Sequence, residues 1–435
     1  MKPEETRCII CNTVNNWENV DHLKEKPMGM SICRHCGFVT HMNSLTPKEE
    51  IKEYYKNSYR QPPTVGNFFT GQRKLYYHQA FLGPLFDEWG KEDRKPEIFE
   101  SGTAYGLFIK WAKDYLKARG TEATVSGSEW TESFKRVCFH HHGIELQDEI
   151  DENKKYDLIA SYKVLEHQVD ADKELRKFVK LLKDDGLIYI GVPIWFKTMT
   201  NFGMNGFDIE YYYHKDHINV WNDRLFRTLL NKCGLEIIKE NHVYYDSVFL
   251  CKRNDELMTK DLVRCDYKEI ISDMERIKKA FEHFKKQEFK EACETYSNYP
   301  QAWIMNYEKN RNEFHKLGPN GIWENHSKLA MKACPGNAEI YLHVADIYAR
   351  YDKFEEAIKY VDKGYELRPG SPDLLTARGQ YLMSLAELAQ DEKDSIALLK
   401  EARGTFYECA RVSEQKKHEV ITWIYKIESM IPMGA

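Results

Sequence analysis

No run of apolar residues in this 435-residue chain reaches the roughly 18–20 that a membrane-spanning helix needs. The first residues, Met1-Lys2-Pro3-Glu4-Glu5-Thr6-Arg7-Cys8, lack the charged-then-apolar order of a secretory signal. No block of basic residues stands out, and 63 Lys and Arg against 68 Asp and Glu leave a net charge of only -5. That balance argues against a dedicated nucleic-acid binder, whose affinity comes from cations that neutralise phosphates. With 42% hydrophobic and 30% charged residues the composition is globular, which excludes extended disorder. The length asks for roughly two to four domains. The 11 cysteines are an odd number and most are scattered singly, as in a reducing compartment, so a cytoplasmic location is expected.

Four cysteines do follow a pattern. Cys8-Ile9-Ile10-Cys11 and Cys33-Arg34-His35-Cys36-Gly37 form two C-x-x-C pairs separated by 21 residues. Each pair brings two thiolates to one side of a tight knuckle, and two knuckles close a tetrahedron around Zn²⁺. Gly37 suits the second knuckle, where a residue without Cβ turns without strain. The bland alternative is four unrelated thiols or a redox pair, and the doubled spacing favours zinc. With Cys8, Cys11, Cys33 and Cys36 filling all four positions, none stays open for catalysis, and the expected role is structural. A segment this short, residues 1–60, has little core of its own, so metal would supply its folding energy. A helical connector at 61–94 is rich in aromatics (Tyr77, Phe81, Phe86 and Trp89 among them) that read as core.

Residues 95–253 alternate strand-like and helix-like runs. Strands are expected at Pro96–Ser101, Ala123–Gly127, Tyr156–Ser161 and Gly186–Val192. Helical spacing appears at Leu107–Lys117, Lys173–Leu182 and Arg224–Cys233, the last stopped by Gly234. This order predicts an α/β domain, a parallel sheet covered on both faces. Two more strand-like runs, at 235–244 and 247–252, are joined by a tight turn and suit an antiparallel pair at one edge. The first strand ends in Glu100-Ser101-Gly102-Thr103-Ala104-Tyr105-Gly106 and enters a helix. Glycines there allow close backbone approach to a nucleotide-like ligand. The second strand ends at Ser128-Glu129, 23 residues after Gly106, where a carboxylate can accept hydrogen bonds from both hydroxyls of a ribose.

After a linker at 254–267, residues 268–435 read as helix throughout. Ala333-Cys334-Pro335-Gly336-Asn337 and Leu367-Arg368-Pro369-Gly370-Ser371 match in sense and lie 34 residues apart. Small residues (Ala345, Ala349, Ala357) fall between them, an earlier copy runs from Phe289 to Pro300, and a later one is stretched by Asp391–Asp394. A period of 34 with Pro-Gly between units resembles the tetratricopeptide repeat, a stack that needs at least about three copies. Such a stack implies a protein partner or self-association through the helical repeats.

The middle region resembles the class I S-adenosylmethionine-dependent methyltransferases, with a Rossmann-like fold. The family pattern of an acidic residue followed by x-G-x-G-x-G is met by Glu100, Gly102 and Gly106, with Ala104 in place of the middle glycine. The resemblance implies that Glu100 lies under the methionine part of S-adenosylmethionine and that Gly102, Thr103 and Gly106 of the same loop bind the cofactor. It implies that Glu129 holds the ribose, that Trp130 stacks near adenine, and that Gln147 and Asp148, after the third strand, contact adenine. It also implies that Tyr162 and His167, in Tyr162-Lys163-Val164-Leu165-Glu166-His167, lie beside the cofactor.

The four-cysteine knuckle followed by Tyr54-Tyr55-x-x-x-Tyr59 is similar to a zinc-containing branch whose members often modify sugars or sugar nucleotides. Several are sugar C-methyltransferases with Tyr-x-Glu-His after the fifth strand. Here His214-Lys215-Asp216-His217 stands in that place: the histidine is kept, and aspartate replaces glutamate. A histidine titrates near neutrality and a carboxylate beside it raises its basicity, so His217 is expected as the base and Asp216 as its orienter. The bland reading of His167 is packing, and of His140-His141-His142 solvent exposure, because adjacent side chains point in different directions. The expected whole is a methyltransferase acting on a small-molecule acceptor, a sugar or sugar nucleotide. The alternatives are a protein or nucleic-acid methyltransferase fed by the repeats, and a non-catalytic scaffold. A pocket roofed by residues 54–90 and 196–217 would favour the small acceptor.

Overall fold

The computed structural model describes residues 6–23, 29–42, 45, 47–57, 65–92, 94–195, 217–243, 246–259 and 263–432. Asp216 and His214, and residues 196–213 of the expected roof, lie outside the described residues. The chain divides into two compact units, one reaching Lys278 and one from Lys279 onward.

The first unit opens with three short strands, β1 (Trp17–Asn19), β2 (Met30–Cys33) and β3 (Val39–His41), and two helices, α1 (Lys48–Asn57) and α2 (Val65–Trp89). The alternating part follows as β4 (Glu97–Ser101), α3 (Leu107–Lys117), β5 (Thr124–Ser128), α4 (Glu132–His142), β6 (Tyr156–Tyr162), α5 (Ala171–Leu181) and β7 (Leu182–Val192). Then come β8 (Ile194–Trp195), β9 (Asn219–Asn222), α6 (Asp223–Lys232), β10 (Leu235–Val243) and β11 (Asp246–Arg253).

Six strands form the main sheet in the order β10-β11-β7-β6-β4-β5. β4 to β7 are parallel, whereas β11 runs antiparallel to both β7 and β10. The sheet is therefore mixed, and its edge pair is the antiparallel one that the tight turn predicts. Central strands such as β6 are buried nearly from end to end, which is why they read as continuous apolar runs. In α3 the buried Phe108, Ile109, Ala112 and Leu116 share one face, as an amphipathic helix on a sheet requires. The expected third strand is reduced to a single parallel bridge between Ser128 and Gln147. The short 143–148 run buries only Ile144 and Leu146 and leaves Gly143, Glu145 and Gln147 exposed.

One core layer packs Tyr77, Phe81, Phe86 and Trp89 of α2 with α3 against one face of the sheet. The other layer contains Cys8, Ile10, Cys33, Cys36 and Phe38 in the same cluster as Trp221, Leu225 and Phe226. The N-terminal hairpin shares its sheet as well: β3 pairs antiparallel with β9, and β9 pairs parallel with β8, giving the order β1-β2-β3-β9-β8. Trp221 is fully buried, with its ring 5.6 Å from Phe38 and 5.1 Å from Phe226. Arg7 adds a forked contact to Asp172 of α5, with both guanidinium nitrogens 3.0 Å from one carboxylate oxygen. A hairpin with too few apolar residues for its own core has borrowed one.

Among the described residues, all regular secondary structure of the second unit is helical. Pro300 and Pro372 each start a helix, where a missing N–H costs nothing. The Pro335-Gly336 and Pro369-Gly370 corners fall between helices, and Ala338–Ala349 with Phe354–Leu367 makes one helical hairpin between them. Gly379 permits a close crossing, since a Cβ there would stand 2.6 Å from the ring of Phe406. Asp391 caps the helix Glu392–Val412 by accepting from the N–H groups of Lys393 and Asp394.

Candidate active site

Ligands of open α/β sheets bind outside the carboxyl ends of the parallel strands. Those of the expected cofactor-site residues that follow β4, β5 and β6 lie at that edge. Between β4 and α3 the backbone turns through left-handed conformations at Gly102 (φ 66°), Ala104 (φ 48°) and Gly106 (φ 72°). A Cβ on Gly102 would stand 2.4 Å from Val164 Cγ2, and one on Gly106 would stand 2.2 Å from Cys138 Sγ. Both glycines are thus demanded by close packing as well as by φ. Thr103 ties the loop to the next strand, its hydroxyl donating to the carbonyls of Glu100 (2.9 Å) and Ser128 (3.2 Å).

Two carboxylates are buried around this loop. Glu129 Oε2 accepts from the N–H of Ala104 at 2.9 Å, and Oε1 accepts from the N–H of Thr131 at 2.8 Å. Burial still holds the Glu129 carboxyl above its ordinary range. Glu100 is only 6% exposed and its Oε2 has no hydrogen-bond partner. Burial, reinforced by the charge of Glu129, pushes its carboxyl well above the usual carboxylate range. A cationic ligand group with hydroxyl donors would relieve both residues, which fits a sulfonium nucleoside.

Beyond Glu129, Trp130 donates its indole N–H to the carbonyl of Asp148 at 2.9 Å. Gln147 contributes its backbone, pairing with Gly127 and Glu129, while its side chain is exposed. The Asp148 carboxylate is gripped by Lys56 (2.9 Å), Lys52 (3.1 Å) and Lys135. Hydrogen bonds from Lys135 first, then Lys56 and Lys52, hold it well below the ordinary carboxylate range. Lys48 and Lys52 also sit over the Trp130 ring, 5.7 and 5.9 Å from its centre. These α1 lysines escaped the sequence reading, though their i, i+4, i+8 spacing puts them on one helix face.

After β6, Leu165–His167 form a single 3-10 turn. It sets the His167 ring 5.0 Å from that of His217, and 6.2 Å from that of Tyr55. One ligand-type atom from each of Glu166, His167 and His217 lies within 4.8 Å of the others. Glu166 and His217 are buried. His41 of β3 donates from Nδ1 to the carbonyl of His217 at 2.5 Å, so the N-terminal hairpin positions this histidine. Sequence could not reveal the role of His41, because the contact spans 176 residues. Tyr162, expected beside the cofactor, gives its hydroxyl to Asp246 at 2.6 Å.

The four cysteines converge at a separate place. Cys8 Sγ is 3.6 Å from Cys36 Sγ, and Cys11 Sγ is 3.6 Å from Cys33 Sγ. A disulfide needs about 2.05 Å. Zn–S bonds of about 2.3 Å at tetrahedral angles put sulfurs about 3.8 Å apart, so the observed spacing fits a zinc tetrathiolate.

A family model described as a methyltransferase domain matches residues 75–240. The chain carries a methyltransferase domain, of the kind that depends on S-adenosylmethionine. The match begins within α2 and ends within β10, so it spans the glycine loop, both buried carboxylates and the histidine pair. No curated protein matches the chain. Among solved structures, a methyltransferase in complex with the Haloferax volcanii Trm112 methyltransferase activator is 11% identical over 48% of this chain and 100% of its own, with a TM-score of 0.35. An S-adenosylmethionine-dependent methyltransferase from Clostridium acetobutylicum is 10% identical over 44% and 100%, with a TM-score of 0.33. Magnesium protoporphyrin IX methyltransferase from Synechocystis with bound S-adenosylmethionine is 12% identical over 48% and 98%, also with a TM-score of 0.33. The activator and the bound ligand belong to those proteins. Among the described residues no helix is long and apolar enough to cross a membrane.

Proposed function

We propose that the methyltransferase domain methylates a small hydroxylated molecule, a sugar or sugar nucleotide, in the cytoplasm. The observation that carries the cofactor half is the pair of buried carboxylates, Glu100 and Glu129, around a left-handed glycine loop. Glu129 would accept from the ribose hydroxyls, and Glu100 would face the cationic methionine end. Trp130 and the backbone of Gln147 and Asp148 would flank adenine. Bound S-adenosylmethionine supplies a sulfonium methyl group, which is already a strong donor. The protein's part is to align the acceptor with it, exclude water and remove a proton.

His217 is proposed as the base. It would take the proton of the acceptor group as that group receives the methyl, with bound S-adenosylmethionine supplying the methyl and departing as S-adenosylhomocysteine. Its buried ring, its pinned carbonyl and the neighbouring His167 and Glu166 support this assignment. Asp216 keeps its proposed place as orienter. Cys8, Cys11, Cys33 and Cys36 would hold a structural Zn²⁺ that braces the hairpin carrying His41. The helical unit, read as tetratricopeptide-like, would dock a protein partner or a second copy of the chain.

Calorimetry with S-adenosylmethionine and S-adenosylhomocysteine tests the cofactor half, and methyl transfer from labelled cofactor to a panel of nucleotide-linked hexoses tests the acceptor half. Binding with transfer to the panel supports the reading. Binding with transfer only to protein or nucleic acid replaces the acceptor class. No binding by folded, zinc-loaded protein moves the scaffold reading to the front.

A further inference from the structure

The sheet edge carries a second polar cluster, centred on Asp246, a residue that the cofactor reading leaves unused. Asp246 opens β11 and is only 1% exposed. Its Oδ2 accepts from the Tyr162 hydroxyl at 2.6 Å and stands 3.3 Å from Lys163 Nζ. Its Oδ1 is buried and has no hydrogen-bond partner. A carboxylate oxygen left in that state is costly, and proteins keep such atoms where something else completes them.

The surroundings are built to hold this carboxylate. Gly191 makes room for Tyr162, because a Cβ there would lie 2.2 Å from the tyrosine ring. His78 of α2 meets that ring edge-on at 5.0 Å and also bonds to the Tyr189 hydroxyl at 2.8 Å. Lys163 takes a left-handed backbone, φ 60°, and its N–H donates to the Gly191 carbonyl at 2.8 Å. Such a conformation in a residue with a long side chain is costly and tends to gather at functional sites.

Topology assigns the cluster its neighbourhood. Glu100 stands near the end of β4, Gly102 and Gly106 follow it, and Glu129 follows β5. The pairs Tyr162↔Gly191 and Ser247↔Val192 put Asp246 at the carboxyl ends of β6 and β7, on the other side of β4 from β5. Two ligand parts that meet in one reaction need two adjacent stretches of this edge.

We propose that Asp246 is an acceptor-binding residue whose Oδ1 accepts a hydrogen bond from a hydroxyl of the methyl acceptor, while Tyr162 and Lys163 hold its other oxygen. The Lys163 ammonium already balances the aspartate charge, so the site takes a neutral hydroxyl in preference to a cationic amine. This rests on the small-molecule reading above.

The test uses the full-length protein with Asp246→Asn and Asp246→Ala. S-adenosylhomocysteine affinity is measured by calorimetry. Methyl transfer from labelled S-adenosylmethionine is measured to UDP-glucose, GDP-mannose and the small-molecule fraction of a cell extract. The expected result is cofactor affinity within about threefold of the parent and an acceptor KM raised about ten- to a hundredfold, the range of one lost hydrogen bond to a charged group. Tyr162→Phe should raise KM less. An unchanged acceptor KM in both Asp246 variants overturns the inference and leaves the methyltransferase reading intact. Equal loss of cofactor binding in both also overturns it, by making Asp246 part of the cofactor site or of the fold. Cofactor binding without transfer to any small molecule removes the small-molecule reading, and the inference with it.

Discussion

Replacing Glu129 with alanine should separate cofactor binding from folding. In the protein the carboxylate makes two hydrogen bonds to backbone N–H groups, at 2.8 and 2.9 Å, and is 9% exposed. Losing two bonds to a charged acceptor costs about 1.5–3 kcal/mol each. Removing a buried carboxylate returns a desolvation penalty of several kcal/mol, on the order of the same size. The two terms oppose, so the melting temperature should move by only about a few degrees. Cofactor binding has no such offset. Two ribose hydroxyls lose a charged acceptor, about 3–6 kcal/mol in sum, and after a discount for non-additivity at least about a hundredfold in Kd. Calorimetry with S-adenosylhomocysteine, beside a thermal melt, reads both quantities. Binding within about threefold of the parent would refute the placement of the ribose. The pH dependence adds a sign. Burial raises the Glu129 carboxyl in the free protein, and ribose donors favour its ionised form. Affinity should therefore rise with pH through and just above the ordinary carboxylate range, with proton release on binding.

Metal analysis should find zinc bound to the chain, and Cys33→Ser should lower the melting temperature of the methyltransferase unit as a whole, because Cys33 and Trp221 share one core cluster. Local unfolding confined to the first residues would contradict this. Gly106→Ala places a Cβ 2.2 Å from Cys138 Sγ at φ 72° and should cost about 2–4 kcal/mol in denaturant melts. His217→Ala should reduce turnover about 10²–10⁴-fold at unchanged cofactor affinity. Chelation that leaves the cysteine-bound zinc and the melting temperature unchanged should leave turnover intact if Glu166, His167 and His217 act in proton transfer; loss of activity under that condition would instead make them metal ligands. In the helical unit, His326 Nε2 and His343 Nε2 are 3.0 Å apart and buried. Burial lowers His326 to about 4 and His343 well below its ordinary value. The unfolded chain then binds more protons, so this unit's stability is full above about pH 6.5 and falls as pH drops towards 4, by about 3 kcal/mol for His326 alone. An acid-insensitive melt of the helical unit would refute it.

Much of the architecture was legible because its cues are local. The α3 helix follows from apolar spacing, and the edge pair β10–β11 follows from a turn between two β-rich runs. Gly102 and Gly106 announce a turn that side chains would block. The spacing of Cys8, Cys11, Cys33 and Cys36 announces a tetrahedron, and Pro-Gly corners mark helix ends. The reduction of the third strand to one bridge at Gln147 was not legible, because a run too short to pair looks the same as one that pairs. Nor was the fusion of the hairpin with β9, because strand pairing across more than 170 residues leaves no periodic trace in either segment.

Sequence by itself determined which elements form and which residue types sit at the carboxyl edge of the sheet, since hydrophobic period, glycine and cysteine spacing act over a few residues. Tertiary structure alone decided what those residues meet. It placed three lysines of α1 around Asp148 and Trp130, gave His217 the support of His41, and turned Tyr162 to Asp246, a residue with no local signal. Burial also decides which carboxyls, Glu100 and Glu129 among them, are raised above their ordinary range, and burial is a property of the packed chain that no single segment contains.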